Sequence, residues 1–271
     1  MTQAAWLTRH PYLASVAEFD AQVATAVANI RSGDVSIPNW DDYIADYHAG
    51  VPLLGSSSVA KDFEPAGAVL VSLLENLTST PLPEEFADQC RDLLNQLRSE
   101  KNAPRLAAGW LLEREDFEPA HSGLLRYLGW TALALHLRPL VDAFSSWRDE
   151  EHWLRGYCPT CGSRPAMAQL VGVDPGRLRF LSCGCCSTRW RYRRIGCPFC
   201  ETPENHLLSA LTIEGEKYLR IDYCQSCRAY LKTYDGAGSE PLFLADWTSL
   251  HLDVIARDRG LKRQGNSLYE L

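Results

Sequence analysis

The sequence predicts an α+β multidomain fold, in which an N-terminal all-α helical domain precedes two tandem metal-ribbon modules and a C-terminal helix. Three observations predict it. Apolar residues recur at helical spacing through the first 150 residues. Four C-x-x-C pairs fall between Cys158 and Cys227, and one more helical pattern follows them. We therefore expect a helical domain at 1–150, modules at 151–195 and 196–240, and a C-terminal helix and tail at 241–271.

Helical patterns in the first half are expected at 12–30, from Pro38 to Val51, and at 67–77, 84–98, 102–112 and 119–147. The last is apolar almost all round, which is typical of a buried central helix. Pro139 lies inside it and lacks a backbone donor, so we expect a kink or break just before that residue. Cys90 lies on the apolar face of the 84–98 pattern and is interpreted as a small core residue.

Eight of the ten cysteines form the C-x-x-C pairs. Two cysteines separated by two residues can occupy one tight turn, and two such turns complete a tetrahedron of thiolates around a metal ion. Eight ligands therefore predict two sites. The predicted metal ligands are Cys158, Cys161, Cys183, Cys186, Cys197, Cys200, Cys224 and Cys227.

An internal repeat indicates which pairs combine. The pattern L-R-apolar-x-x-C-x-x-C occurs at Leu178 and again at Leu219, and C-P-x-C occurs at Cys158 and again at Cys197. The cysteine half therefore resembles one metal-ribbon unit written twice, with a period of about 40 residues. The repeat favours joining the first pair to the second and the third to the fourth. An interleaved arrangement, in which the first pair meets the third, is the alternative.

The cellular compartment determines whether the paired cysteines bind metal or form disulfides. The first ten residues lack the basic start, apolar run and cleavage site of a secretory signal, so a cytoplasmic location is expected. In a reducing cytosol, paired C-x-x-C motifs indicate metal binding or redox chemistry rather than structural cross-links. The longest apolar run, from Leu124 to Leu137, is shorter than the roughly 20 residues of a membrane span, so none is expected.

Charge argues against a nucleic-acid partner. Residues 1–150 hold 11 basic and 21 acidic side chains, and residues 151–271 hold 16 and 13. The segment from Arg189 to Arg194 alternates cations with aromatics, as single-strand binders do. On a strand, however, its arginines would share a solvated face and Trp190 and Tyr192 a buried one. A nucleic-acid-binding zinc-ribbon protein is therefore an alternative function, not the favoured one.

Short strands are expected at 177–181, 190–194, 218–222 and 230–234, beside the second and fourth cysteine pairs. Each unit would be a small sheet with two cysteine turns. Such units bury little apolar area, so bound metal is expected to contribute to their stability. A final helix is expected between Asp246 and Gly260, with Gly260 as its C-cap and loose residues after it.

Three sequence motifs in the cysteine half of the chain resemble those of a known protein family. They are C-P-x-C-G-S-x-P from Cys158, C-x-x-C-x-x-x-W-x-x-x-R-x-x-C-x-x-C-E from Cys183, and C-x-x-C-x-x-Y-L-K from Cys224. With them, the cysteine half resembles the bacterial formate dehydrogenase accessory protein family FdhE. Two departures are Cys185, an extra cysteine inside the second turn, and Ser267 after Asn266, where the family usually has proline.

The resemblance implies a maturation factor rather than an enzyme. It would bind the catalytic subunit of a respiratory, molybdenum-containing formate dehydrogenase in the cytoplasm before export. It also implies two tandem rubredoxin-like modules associated with iron, although the same geometry accepts zinc. A rubredoxin-like redox or electron-transfer protein is a further alternative. The sequence leaves open the metal and its role, the partner-binding surface, the role of Cys185 and whether the chain forms a homodimer.

Overall fold

Eight α-helices precede the first strand in the computed structural model, which describes residues 1–59, 61–173 and 176–269. They are α1 (Gln3–Arg9), α2 (Ala14–Ala28), α3 (Trp40–Ala49), α4 (Glu64–Thr78), α5 (Glu84–Ser99), α6 (Ala103–Trp110), α7 (Ser122–Trp147) and α8 (Glu150–Trp153). Among the described residues, seven strands and two more helices follow. They are β1 (Met167–Val171), β2 (Leu178–Ser182), β3 (Arg189–Tyr192), β4 (Leu208–Thr212), β5 (Leu219–Cys224), β6 (Ala229–Asp235), α9 (Glu240–Phe243), α10 (Leu250–Asp258) and β7 (Lys262–Arg263).

Helix α7 is the buried centre of the helical half, as predicted, but it is not broken at Pro139. The helix runs unbroken from Ser122 to Trp147 with Pro139 inside it. A proline in a helix interior costs about 3 kcal/mol. Burial of one large apolar side chain returns about 1.5–3 kcal/mol, and Leu137, Leu140 and Phe144 are buried on both sides of Pro139. Tertiary packing therefore outweighs the local signal.

The helix predicted at residues 12–30 begins later in the structure, at Ala14. A 3₁₀ turn at Pro11–Leu13 precedes α2, and the separate helix α1 lies before it. Helix α1 packs away from the helical half. Its Trp6 is buried, meets the Phe243 ring edge-on, and donates its indole N–H to the Thr248 carbonyl at 3.1 Å. The first residues of the chain therefore belong to the core formed by the last ones.

The strands of the two cysteine modules form one continuous sheet, with the order β3-β2-β1-β6-β5-β4 and β7 beside β6. Within each module the neighbours are antiparallel. The modules meet where β1 and β6 pair in parallel, with Met167 opposite Lys232. The sequence analysis expected two small sheets and did not include β1 or β4. The domain boundaries at residues 151, 196 and 241 remain predictions.

The two faces of the sheet pack against different layers. Leu181, Trp190 and Leu231 join the core of α3 and α7. Ile221 and Tyr230 face the opposite layer, which consists of α1, α9 and α10. This division follows from the alternation of side chains along a strand, which sends successive residues to opposite faces.

A buried ionic network joins the sheet to the C-terminal layer. Lys232 on β6 is 1% exposed, and its Nζ lies 2.5 Å from Asp246 Oδ1 and 2.7 Å from Asp253 Oδ2. Arg263 forms two more ion pairs with the same carboxylates. Burial alone would raise the pKa of Asp246, but Lys232 and Arg263 lower it below its usual value. The network therefore holds ionised groups in the protein interior.

Residues 261–269 are packed rather than loose, which corrects the expectation for that part of the tail, and residues 270–271 lie outside the described residues. Gly260 follows α10 with φ +67°, as a C-cap glycine does. Beyond it, β7 pairs with β6, Ser267 donates a hydrogen bond to Asp246 at 2.5 Å, and Tyr269 packs against Tyr127 of α7. Tertiary contacts of the tail, which no local pattern reveals, hold it in place.

Replacing Lys232 with methionine tests the network. The variant leaves two buried carboxylates with fewer cations, and breaking a buried pair costs about 3–5 kcal/mol. For a chain of this size we expect the melting temperature to fall by roughly 6–12 °C, measured by circular dichroism on metal-loaded protein. Lys101→Met, at an exposed position, is the matched control and should change it by about 1 °C or less. Equal melting temperatures for the two variants would contradict the assignment.

Candidate metal centres

The structure brings the eight predicted cysteines together as two groups of four. In each group the four Sγ atoms lie within 4.8 Å of one another. The first group joins the first pair to the second, with Cys158 3.5 Å from Cys186 and Cys161 3.5 Å from Cys183. The second joins the third pair to the fourth, with Sγ separations of 3.7 and 3.8 Å. This is the pairing that the repeat favours, not the interleaved alternative.

Each of the four cysteine turns is closed by backbone hydrogen bonds. In the first turn the amide of Gly162 donates to the Cys158 carbonyl at 2.9 Å, and in the third the amide of Glu201 donates to the Cys197 carbonyl at 3.0 Å. Amides also point at sulfur, since the Phe199 N–H donates to Cys197 Sγ at 3.4 Å. Donors aimed at a ligating sulfur stabilise negative charge on it.

In all four turns, the backbone of the residue after the second cysteine adopts a left-handed conformation, with positive φ. It is Gly162 in the first turn, with φ +84°, and Ser187, Glu201 and Arg228 in the others, with φ between +58° and +61°. The sequence analysis did not identify this shared conformation. A non-glycine residue held there costs of the order of 1–2 kcal/mol, so three of the turns carry backbone strain that the closed cluster must offset.

The first cluster is enclosed by the helical half. Cys158, Cys183 and Cys186 are at most 5% exposed, and only Cys161 of this cluster is half-buried. The amides of Leu53 and Leu54 donate at 2.8 Å to the carbonyls of the first cysteine turn. A buried hydroxyl pair lies beneath it, in which Thr188 Oγ1 is 2.8 Å from Thr160 Oγ1 and 3.2 Å from Cys186 Sγ. When that sulfur is ionised, the Thr188 hydroxyl donates to it.

The second cluster opens to solvent. Cys200 is exposed and Cys227 is half-buried, whereas Cys197 and Cys224 are buried. The first module supports its buried side. Arg179 of β2 is itself buried and donates to the Gly196 carbonyl at 2.9 Å, and the Tyr192 hydroxyl donates to the Cys197 carbonyl at 3.1 Å. The two clusters therefore share a scaffold but differ in access.

Both groups have the size of a four-sulfur metal site. With metal–sulfur bonds of about 2.3 Å, the edges of a tetrahedron are about 3.8 Å long. The closest separations of 3.5 to 3.8 Å are near that value, and all ten cysteines are free. Two four-cysteine clusters that could hold metal ions are thus present. The eight cysteines remain the predicted ligands, and the geometry accepts iron or zinc.

The two remaining cysteines lie outside the clusters. Cys90 is fully buried in the core of the helical half, as expected, and burial raises its pKa to about 11. Cys185 is buried beside the first cluster but is not one of its four converging sulfurs. Its backbone N–H donates to Cys183 Sγ at 3.4 Å. Cys185 therefore supports the cluster through its amide.

The arginine-rich strand does not present a free basic face. Trp190 and Tyr192 are buried, as expected. On the other side, the Arg189 guanidinium donates to Gln169, and Arg191 forms an ion pair with Glu151. Two of the three cations on that face are therefore occupied within the protein.

Elsewhere in the described part of the chain, no helix is long and apolar enough to cross a membrane.

Comparison with known proteins places the cysteine modules in a family. Residues 157–194 match a family model described as FdhE, central domain. A curated "Protein FdhE homolog" of Pseudomonas aeruginosa is 32% identical over 229 residues, which cover 81% of this chain and 71% of the relative. Another "Protein FdhE homolog", from Aquifex aeolicus, is 32% identical over 133 residues, which cover 47% of each chain. The match to that relative thus spans about half of its length.

A solved structure shares the fold. It is described as the crystal structure of the FdhE protein from Pseudomonas aeruginosa, and it aligns with a TM-score of 0.59 and 23% identity. The alignment covers 92% of this chain and 85% of that one. The succession of helical half, sheet and C-terminal helix is therefore a known architecture.

The difference in access predicts two rates of metal release. With both sites loaded, we expect a chelator to remove one ion per chain more than about tenfold faster than the other, because three sulfurs of the first cluster are buried whereas Cys200 of the second is exposed. The release can be followed with a colorimetric chelator. Cys200→Ser should abolish the fast phase and Cys158→Ser the slow one. Release of both ions in one phase by the wild-type protein would contradict the prediction.

Proposed function

Since the chain belongs to the FdhE family of formate dehydrogenase accessory proteins, we propose that it assists maturation of a molybdenum-containing respiratory formate dehydrogenase. It binds the catalytic subunit in the cytoplasm, before export, and is not itself an enzyme. The observation that carries the proposal is the family membership together with the two four-cysteine clusters on one sheet. The eight cysteines hold two metal ions, and iron is favoured by the family resemblance.

The second cluster is the part of the metal scaffold that a partner can reach. Cys200 is exposed on it, and the nearby Ile195 is 47% exposed. A small cleft of about 170 Å³ beside the cluster is lined in part by Phe199 and Arg220. The first cluster, in contrast, is covered by the helical half. We therefore propose that the catalytic subunit meets the chain on the side of the second cluster.

Deletion and co-purification test the maturation role. Without the chain, cells should lose formate-dependent dye reduction by their membranes, while the catalytic subunit is still synthesised. A tagged full-length chain should recover that subunit from the cytoplasm. Cys200→Ser should weaken recovery more than Ser99→Ala, which lies on the exposed end of α5 and serves as the control. Normal formate dehydrogenase activity in the deletion strain would refute the proposal.

A second candidate function, electron transfer by rubredoxin-like iron, is favoured by the exposure of Cys200. An iron atom held there would be close to the surface, where an electron can pass to a partner. In this case, protein purified without oxygen should contain iron and show a thiolate-to-iron absorption that bleaches and returns through a redox cycle. Cys200→Ser should remove the more accessible half of the signal. Protein that contains only zinc would exclude this function and leave the sites structural.

A further inference from the structure

Three side chains from distant parts of the sequence converge at the edge of the C-terminal layer. His10 follows α1, Glu216 lies in the turn between β4 and β5, and His251 lies in the first turn of α10. Glu216 Oε1 is 3.2 Å from His10 Nε2 and 3.1 Å from His251 Nε2. The three side chains are only 8%, 5% and 13% exposed. They share no motif and lie apart from both cysteine clusters.

We propose that His10, Glu216 and His251 form a third metal site, which binds one divalent cation of the zinc class. Two imidazoles and one carboxylate are a common three-ligand set for zinc, with a water molecule in the fourth position. Their ligand atoms lie within 4.8 Å of one another. With metal–ligand bonds of about 2.0–2.1 Å, a tetrahedral site has edges of about 3.3 Å. The two nitrogen–oxygen separations are within 0.2 Å of that length.

Unpartnered polar atoms at the site give independent support. His10 Nε2 and Glu216 Oε2 are buried and have no hydrogen-bond partner, although the imidazole nitrogen lies close to the other carboxylate oxygen. Leaving such buried atoms without a partner is unfavourable, so a native structure normally provides one. A cation between the ring nitrogens and the carboxylate would supply that partner. A simple pair between Glu216 and His251 would leave the His10 nitrogen unsatisfied.

The protonation states suit a metal ligand set. Burial is the main cause that lowers the pKa of His10, which favours the neutral imidazole with its free lone pair. Burial alone would raise the pKa of Glu216, but the hydrogen bond with His251 and the charge of Arg9 lower it, which favours the ionised carboxylate. Metal ligands must be in these forms.

The ring of His10 is also oriented in advance. Its Nδ1 lies 2.6 Å from the Tyr12 hydroxyl, which leaves Nε2 directed at the carboxylate. Metal-ligating histidines are usually fixed in this way through their second nitrogen. The His10 and His251 rings stack, with centroids 4.8 Å apart and planes inclined by 25°. His10 is therefore oriented before a metal arrives, whereas His251 is held by this stacking and its second nitrogen, Nδ1, has no hydrogen-bond partner.

One side of the cluster opens into a shallow depression of about 900 Å³, whose apolar wall includes Leu13, Val16 and Ile213. A water molecule or exchangeable ligand can enter there as the fourth donor. Glu214 on the same rim adds negative charge, while the nearby Arg9 guanidinium is engaged with the Gly215 carbonyl. A cation bound here would fasten the N-terminal segment to the β4–β5 turn and to α10.

The proposal can be tested by measuring how many metal ions each chain binds. Full-length wild-type protein whose cysteine clusters are already filled should bind one additional Zn²⁺ per chain in a calorimetric titration at pH 7.5, and its melting temperature should rise with that ion. His251→Asn and Glu216→Gln should each lose the additional ion and the stabilisation but keep the two cysteine-bound ions. His206→Asn is the matched control, because this histidine is 74% exposed and lies outside the cluster, and it should behave as the wild type.

Binding of no additional ion by the wild-type protein overturns the proposal, whether or not the variants fold. An additional ion retained by both His251→Asn and Glu216→Gln overturns it as well, since the ion would then lie elsewhere. Circular dichroism shows which variants are folded. If only one of them folds, that variant decides the assignment.

Discussion

The parallel pairing of β1 with β6 is the interaction on which the arrangement of the molecule depends. Each cysteine module contributes three antiparallel strands, which alone would form a small sheet with exposed edges. Pairing Met167–Leu170 with Lys232–Asp235 turns two such ribbons into one sheet. This sheet has two large faces, one for the helical half and one for the C-terminal layer. Both four-cysteine clusters lie on loops of the same sheet, so their separation is set by the strands.

The two units of the internal repeat therefore share a structure, but the parts of the protein around them differ. The first cluster lies against the helical half, where amides of Leu53 and Leu54 bind its first turn. The second has Arg179 and Tyr192 of the first module on one side and solvent on the other. Two copies of one motif thus differ in accessibility although their sulfur geometry is alike. Solvent accessibility of this kind distinguishes a metal site that only stabilises the fold from one that can exchange metal or electrons.

The features that were predictable from the sequence are those with a local signal. C-x-x-C spacing and the repeat identified which cysteine pairs meet, and the alternation around Trp190 and Tyr192 placed them in the core. Helical periodicity located α7, but the kink or break expected just before Pro139 did not interrupt the helix, because burial on both sides outweighs the lost hydrogen bond. The β1–β6 pairing, the Lys232 network and the packing of Tyr269 involve residues far apart in sequence. They depend on tertiary contacts that no periodicity records, and the same is true of His10, Glu216 and His251.

The docking of α1 against the C-terminal layer has a consequence for biosynthesis. The indole of Trp6 reaches a carbonyl at Thr248, across 242 positions of sequence. During translation α1 is therefore synthesised long before the residues of α9 and α10 against which it packs. The hydrophobic face of α1 therefore stays undocked until those later residues have left the ribosome. Contacts of such long range are slow to form. Closure of this layer thus has to follow the synthesis of α10, and a nascent chain that stalls before α10 carries an undocked Trp6.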